Sequence, residues 1–169
     1  MRRVLMALTF LFVGQVNAQT TLHAYTGLSY LEHVSTGISL RWKNRHQLSL
    51  MTGTNLFIRT YYFANYMAQY DYLLKGLKVL RATPKVGIKG GDSIFSDDYY
   101  RWHVVHIIPQ VGFQYPLKPS IELVLEAGAA ASFEQKVKRL KQGELGHYEE
   151  WLPEIKVAVM FQLSKQKSK

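Results

Sequence analysis

Residues 121–133 read Ile-Glu-Leu-Val-Leu-Glu-Ala-Gly-Ala-Ala-Ala-Ser-Phe, and apolar side chains alternate there with small or charged ones. In an extended chain every second side chain points to the same face. One face of this stretch is therefore apolar, whereas the other carries Glu122, Glu126 and Gly128. This two-residue period predicts a β-strand whose two faces meet different surroundings.

The same alternation recurs along most of the chain. In residues 151–163, for example, Ile155 and Val157 share one face, and Glu154 and Lys156 share the other. We predict eight strands, at residues 22–31, 36–43, 47–58, 64–74, 80–89, 105–115, 121–133 and 151–163. No stretch shows a sustained helical period, so the sequence predicts an all-β fold.

The direction of the apolar faces decides the class of β-protein. In a soluble β-sandwich or lipocalin the apolar face points inward. In a transmembrane barrel the apolar face meets lipid, and small or charged side chains fill the lumen. The polar faces here are rich in glycine and serine, which suit a crowded lumen better than a solvent-facing strand. We therefore predict a closed antiparallel eight-stranded transmembrane β-barrel with up-and-down order, with a soluble β-protein as the alternative.

Connection lengths and aromatic positions favour the membrane barrel. Connections near residues 44–46, 75–77 and 117–119 are tight, and most of the others are longer, as in outer-membrane barrels with both termini in the periplasm. Outward aromatic residues fall at two levels, as expected for the two bilayer interfaces. The predicted girdles are Tyr30, Tyr62, Phe133 and Trp151 at one level and Trp42, Tyr72, Tyr115 and Phe161 at the other. Pro84 and Pro109 interrupt two strands, so we expect a bulge or a frayed ladder there.

Composition and the first residues indicate an exported protein. The 169 residues carry a net charge of +9 and no cysteine, which excludes disulfides and cysteine-ligated metals. Residues 1–18 begin with Arg2 and Arg3, continue with a short apolar run and end at Ala18, as in a cleaved signal peptide. We predict a signal peptide at 1–18 and an outer-membrane β-barrel domain at 19–169 with a short basic tail at 164–169.

These features together resemble the small OmpA/OmpX-like outer-membrane β-barrel proteins, from Leu22 to Leu163. The resemblance implies an outer-membrane location in a Gram-negative envelope and a C-terminal aromatic, here Phe161, which the basic tail displaces from the end. In size, export signal and strand rhythm the chain also resembles the small barrel subunit of a conjugation or secretion apparatus (TraO-like).

The predicted lumen face carries charges of both signs. They are Arg41, Asp71, Arg81, Lys85, Lys89, Glu122, Glu126, Glu154 and Lys156. Because an unpaired buried charge is costly, we expect ion pairs, with Asp71 across from Arg81 and Lys156 diagonal to Glu126. These pairs are expected to close the lumen, because eight strands enclose an interior just wide enough for side chains. An ion-selective pore or a catalytic pair of carboxylates are the alternatives.

No catalytic residue, cofactor or metal is expected. His33-Val34-Ser35 is similar to the His-x-Ser of outer-membrane lipid A deacylases, but it lies in the first loop and only Glu32 is at hand to orient the histidine. Asp92, Asp97 and Asp98 lack the regular spacing of a calcium loop, so we expect them in a solvated loop tip.

The basic residues Lys136, Lys138, Arg139 and Lys141 form a candidate rim for an anionic partner. The expected partners are outer-membrane lipid and, through this rim, lipopolysaccharide or other envelope proteins. No nucleic acid is expected as a partner. The chain is expected to be a monomer or part of an envelope complex. The sequence thus predicts a non-enzymatic barrel acting through external loops or envelope partners. A lipid A-modifying enzyme and a small channel are the alternatives.

Overall fold

The computed structural model describes residues 20–31, 33–54, 62–77, 81–96, 100–139 and 151–165, so the predicted signal peptide lies outside the described residues. Eight strands form one sheet: β1 (Thr20–Ser29), β2 (His33–Trp42), β3 (His46–Thr54), β4 (Tyr62–Leu73), β5 (Thr83–Ser96), β6 (Tyr100–Lys118), β7 (Ile121–Arg139) and β8 (Trp151–Lys165). Each strand pairs antiparallel with the next, and β8 pairs with β1. The prediction of a closed eight-stranded meander barrel is confirmed. Within the described ranges, no helix is long and apolar enough to cross a membrane.

Successive side chains alternate between the inside and the outside of the barrel, as the pleat of a β-strand requires. In β8, Glu154, Lys156 and Met160 are buried, whereas Ile155 and Val157 are exposed. The large exposed apolar side chains include Leu28, Ile38, Leu50, Val86, Ile88, Ile107, Val111, Leu125, Ile155, Val157 and Leu163. The predicted direction of the apolar faces is therefore confirmed: they point outward, and the charged faces point into the lumen.

Three strands extend well past their predicted bounds at the end away from the tight turns, which we call the loop end, and β2 and β4 extend slightly past theirs. The expected loop between Gly90 and Arg101 is instead mostly hairpin, because β5 continues to Ser96 and β6 begins at Tyr100. β7 likewise reaches Arg139. Gly90, Gly91 and Asp92 suggested a loop, but they are paired with β4 on one side and β6 on the other, and this pairing satisfies their backbone groups.

The connection between β4 and β5 is longer than the predicted three residues. An isolated bridge joins Leu77 to Ala82, and β5 begins only at Thr83. Arg81 lies in this connection with a φ of 48° and an exposed side chain, so it lies outside the lumen, contrary to the prediction. The added residues shift the partner of Asp71, as described below.

The prolines disturb the ladder less than predicted. Pro84 and Pro109 both keep their register between β5 and β6, opposite Phe113 and Ile88, without a bulge. Between β6 and β7 the register runs on from Ile107–Ala131 to Gln110–Gly128, but the two intervening pairs are missing. The predicted disturbance therefore takes the form of a short gap in the ladder at Pro109, which has no N–H to donate.

Candidate functional site

The lumen near the tight turns contains the Arg41 cluster: Arg41, Gln47, Gln114 and Glu122. Arg41 Nη1 donates to Glu122 Oε1 at 2.9 Å, and Arg41 Nη2 donates to Glu122 Oε2 at 2.6 Å. Nη2 also donates to Gln114 Oε1 at 2.7 Å. The two ionic side chains are 16% and 23% exposed, so this fork-to-fork ion pair lies at the edge of the lumen, partly open to solvent.

The Lys85 cluster is adjacent and fully enclosed. It consists of Lys85, Asp71, Glu126 and Gln69, with side-chain exposures of 2% or less for the three ionic groups. Lys85 Nζ lies 2.9 Å from Asp71 Oδ2 and also contacts Glu126 Oε1. Gln69 Nε2 donates to both carboxylates, at 2.7 Å each. One ammonium therefore bridges two carboxylates, which a side-chain amide also binds.

The predicted partner of Asp71 is corrected by this cluster. Because Arg81 lies in the β4–β5 connection, the next inward cation on β5 is Lys85, and it takes the place predicted for Arg81. Gly87 makes room for this arrangement, since a Cβ added there would overlap the Asp71 carboxylate. Asp71 therefore fills the space that the missing side chain of Gly87 leaves in the lumen.

A sulfur-rich apolar cluster lies beside these charges. Tyr25, Met51, Met67, Val124, Ala158 and Met160 are buried together in the lumen. Lys156 belongs to this region: its Nζ lies 4.7 Å from the centre of the Tyr25 ring and 3.2 Å from Met51 Sδ. Lys156 and Glu126 are directly opposite in the β7–β8 register, not diagonal as predicted. Sequence reasoning missed this cluster, although the strand period puts all three methionines after residue 18 on inward positions.

The Lys89–Glu154 pair and the first connection lie at the loop end of the lumen. Lys89 Nζ lies 2.6 Å from Glu154 Oε1, and both side chains are completely buried. The backbone N–H of Leu31 donates to Glu154 Oε2 at 3.0 Å. The Leu31 side chain packs with Ile108, Ala130 and Leu152. Glu154 therefore binds the β1–β2 connection over the mouth of the barrel.

These contacts suit charge neutralisation and filling of the interior. Asp71, Glu122, Glu126 and Glu154 each bind a cationic side chain. Amides add hydrogen bonds within the clusters: Gln69 and Gln110 donate to Asp71, and Gln114 donates to Gln47. Among the described residues, no group of three or more His, Cys, Asp or Glu side chains is placed to hold a metal ion.

The outer wall carries aromatic residues at both ends. Near the tight turns Trp42 stacks on His46 at 5.5 Å between ring centres, and His46 Nδ1 is hydrogen bonded to the Tyr70 hydroxyl at 2.8 Å. Of the predicted girdle residues, Tyr72 and Trp42 are half-buried, and the exposed ones are Tyr30, Tyr115, Phe133, Trp151 and Phe161. The remaining girdle residue, Tyr62, begins β4, and its side chain is outside the description.

Two further polar features lie toward the loop end. Asp92 is in β5 rather than in the predicted loop tip, and its Oδ2 lies 3.3 Å from His103 Nδ1 on β6. Of the candidate basic rim, Lys136, Lys138 and Arg139 fall within β7, whereas the position of Lys141 is not described. The Asp92–His103 pair was not predicted from the sequence, because the strand was expected to end at residue 89.

The fold of this chain is similar to solved outer-membrane barrels. Neisserial surface protein A (NspA) matches with 14% sequence identity and a TM-score of 0.52 over 86% of this chain and 96% of that chain. A major outer membrane protein from Thermus thermophilus matches with 13% identity and a TM-score of 0.50 over 86% of this chain and 99% of that chain. No family model matches the sequence, and no curated protein matches it. The chain therefore has the fold of small eight-stranded outer-membrane barrels.

Proposed function

We propose that this barrel is a non-enzymatic outer-membrane protein with a closed lumen, acting through its external end or through envelope partners. The observation that carries the proposal is that charged side chains are buried and apolar ones are exposed, the reverse of a soluble protein. Lys85, Lys89 and Glu154 are buried, while Leu28, Ile155 and Val157 are about half exposed or more. A continuous apolar wall of this extent is unfavourable in water. The same wall is favourable against hydrocarbon, and the enclosed charges are compensated within the lumen.

The spacing of the aromatic residues supports the membrane assignment. Trp151 and Phe161 are exposed residues of β8 and are ten positions apart. Ten residues of strand cover about 33 Å, or about 25 Å along the barrel axis at a tilt near 40°. That height matches the apolar band of an outer-membrane barrel.

Membrane location is tested by fractionation of cells that produce the protein. We expect it to sediment with the outer membrane and to migrate faster on a gel when unheated, because a folded barrel resists unfolding by detergent. Recovery in the soluble periplasmic fraction would overturn the membrane proposal.

The closed lumen is supported by the succession of clusters inside it. The Arg41 cluster, the Lys85 cluster, the methionine-rich cluster and the Lys89–Glu154 pair follow one another from the tight turns to the Leu31 connection. Eight-stranded barrels are normally filled by such side chains. In a planar lipid bilayer we expect no steady single-channel steps, and regular steps of constant size would favour the small-channel alternative.

We assign the ends of β6 and β7 that lie away from their connecting turn to the external side of the membrane. Both strands have 19 residues, about twice the 9–11 that span a bilayer. Their far ends, which include the basic residues Lys136, Lys138 and Arg139, therefore project past the outer interface, where the phosphates of lipopolysaccharide or an acidic envelope protein are available. This assignment is tested by co-purification from membranes. The unchanged protein is compared with a variant in which the two lysines and the arginine are changed to glutamate.

A lipid A-modifying enzyme is the second candidate, because His103 lies beside the carboxylate of Asp92 on the outer wall. A histidine with an acidic partner is part of the machinery that activates a hydroxyl nucleophile. Mass spectra of lipid A from cells with and without the protein distinguish the two functions. We expect identical spectra, and a changed acyl-chain pattern that is lost in His103→Ala would favour the enzyme.

A further inference from the structure

The outer wall contains a groove of about 340 Å³ between β3 and β6. Its outward side chains are those of Leu48, Ala68, Tyr70, Ile88 and Ile107, together with the bare backbone of Gly90. Ala68 and Gly90 are directly paired, so two of the smallest residues lie side by side and form the floor. The groove is an apolar trough open to the surroundings of the barrel.

Gly90 leaves this space open without being required by the backbone. A Cβ added at Gly90 would come no closer than 3.4 Å to another atom, the His106 carbonyl oxygen, which is ordinary contact. At Gly87 and Gly91, by contrast, an added Cβ would overlap the neighbouring strand. Gly87 and Gly91 are thus needed for packing, whereas Gly90 has room for a side chain and leaves the wall hollow.

A polar pair lies at the upper end of the groove. Asp92 follows Gly90 by two residues on the same face of β5, about 7 Å toward the loop end. Its Oδ2 contacts His103 Nδ1, its Oδ1 is buried, and the side chain as a whole is 41% exposed, so Oδ2 is the oxygen that faces the surroundings. Arg101, which is exposed, lies two residues beyond His103 on β6. An apolar trough, a partly exposed carboxylate and a cation therefore follow one another toward the loop end.

We propose that this wall binds one molecule of an acylated glycolipid of the outer leaflet. One acyl chain lies in the groove over Ala68 and Gly90, a hydroxyl of the head group donates to the exposed Oδ2 of Asp92, and a phosphate lies near Arg101. The order of the three features matches the order of chain, hydroxyl and phosphate in such a lipid, read from the membrane interior outward. This inference rests on the proposed outer-membrane function, because the wall meets lipid only there.

The test uses the full barrel folded in phosphatidylcholine nanodiscs, with Kdo₂-lipid A as the probe and native mass spectrometry as the readout. We expect one probe molecule to be retained per barrel. Gly90→Leu fills the groove and Asp92→Asn removes the charge of the acceptor, and each should weaken retention about tenfold, the effect of losing one charged hydrogen bond or its apolar equivalent. Ala129→Leu, at an exposed position on β7 away from the groove, is the matched control and should retain the probe like the unchanged protein.

Two results would overturn the inference while leaving the outer-membrane proposal intact. One is a Gly90→Leu barrel that inserts normally and retains the probe undiminished. The other is displacement of the probe by an equal amount of phosphatidylethanolamine, which would show a general phospholipid contact. A chain that fails to enter the nanodisc at all would contradict the proposed function itself.

Discussion

Lys85 and Asp92 lie seven residues apart on β5 and point to opposite sides of the same wall. Lys85 is fully enclosed and bridges two carboxylates, whereas the Asp92–His103 pair is 41% and 34% exposed on the outside. The same kinds of charged group therefore act differently according to the face on which they lie. Inside, removing a partner leaves a charge without compensation, and outside it leaves a group that its surroundings can solvate.

The largest expected effect is that of Lys85→Met. This change leaves Asp71 and Glu126 buried without their cation, so we expect the free energy of unfolding to fall by about 3–5 kcal/mol. Urea unfolding in lipid vesicles measures it, with Lys75→Met in the exposed β4–β5 connection as the control. Equal stability of the two variants would contradict the structural role of the Lys85 cluster.

Glu154→Ala removes the partner of Lys89 and the acceptor of the Leu31 N–H together. We expect a loss of about 3 kcal/mol and faster hydrogen exchange at the Leu31 amide. The Tyr30 amide, which donates to the Ile155 carbonyl at 3.2 Å, is an internal reference that should stay protected. Exchange that speeds up equally at both amides would mean that Glu154 stabilises the connection as a whole and not the Leu31 amide in particular.

Arg41 and Glu122 should couple more weakly, because this pair is partly exposed. A double-mutant cycle with Arg41→Met and Glu122→Gln is expected to give an interaction of about 1 kcal/mol after solvent screening. The amides of Gln47 and Gln114 remain bonded to each other in both variants. A coupling as large as the Lys85 effect would remove the distinction between the edge and the centre of the lumen.

The smallest effect on stability is expected for Asp92→Asn. On the exposed outer pair we expect a change below about 0.5 kcal/mol in unfolding free energy, alongside the loss of glycolipid retention proposed above. Measuring unfolding and retention on the same preparation separates the two readouts. A strongly destabilised Asp92→Asn barrel would show that the outer pair holds the wall together.

The period of two was enough to predict the face of nearly every strand residue, because one register places most of the charged side chains of the predicted strands inside. It correctly placed Glu154 and Lys156 inside and Ile155 and Val157 outside. The two-residue pattern is local. It is sufficient to predict the face of the strand on which each side chain lies, because that property does not depend on distant residues.

Partners inside the lumen could not be predicted in the same way. The pairing of Asp71 depends on the length of the β4–β5 connection, which runs from the end of β4 at Leu73 to the start of β5 at Thr83. The Glu154–Leu31 hydrogen bond joins residues 123 positions apart and depends on how β1 closes against β8. Both contacts depend on how far the strands are shifted relative to one another around the closed sheet. A short segment of sequence does not encode that shift.

The hairpin of β5 and β6 was underestimated for a different reason. Gly90, Gly91 and Asp92 have low strand propensity, and their composition indicated a loop. Pairing with β4 and β6 on both sides overrides this low propensity. Gly90 then lies in the wall of the barrel, where it lines the groove.

The first and last strands are hydrogen-bonded neighbours, from Ser29 with Lys156 to Thr21 with Lys165. The ring can therefore be completed only after β8 has been synthesised, and until then β1 keeps an unsatisfied edge that invites pairing with other chains. A shielding chaperone, or simultaneous folding of all eight strands, is the way such a chain avoids aggregating before it closes.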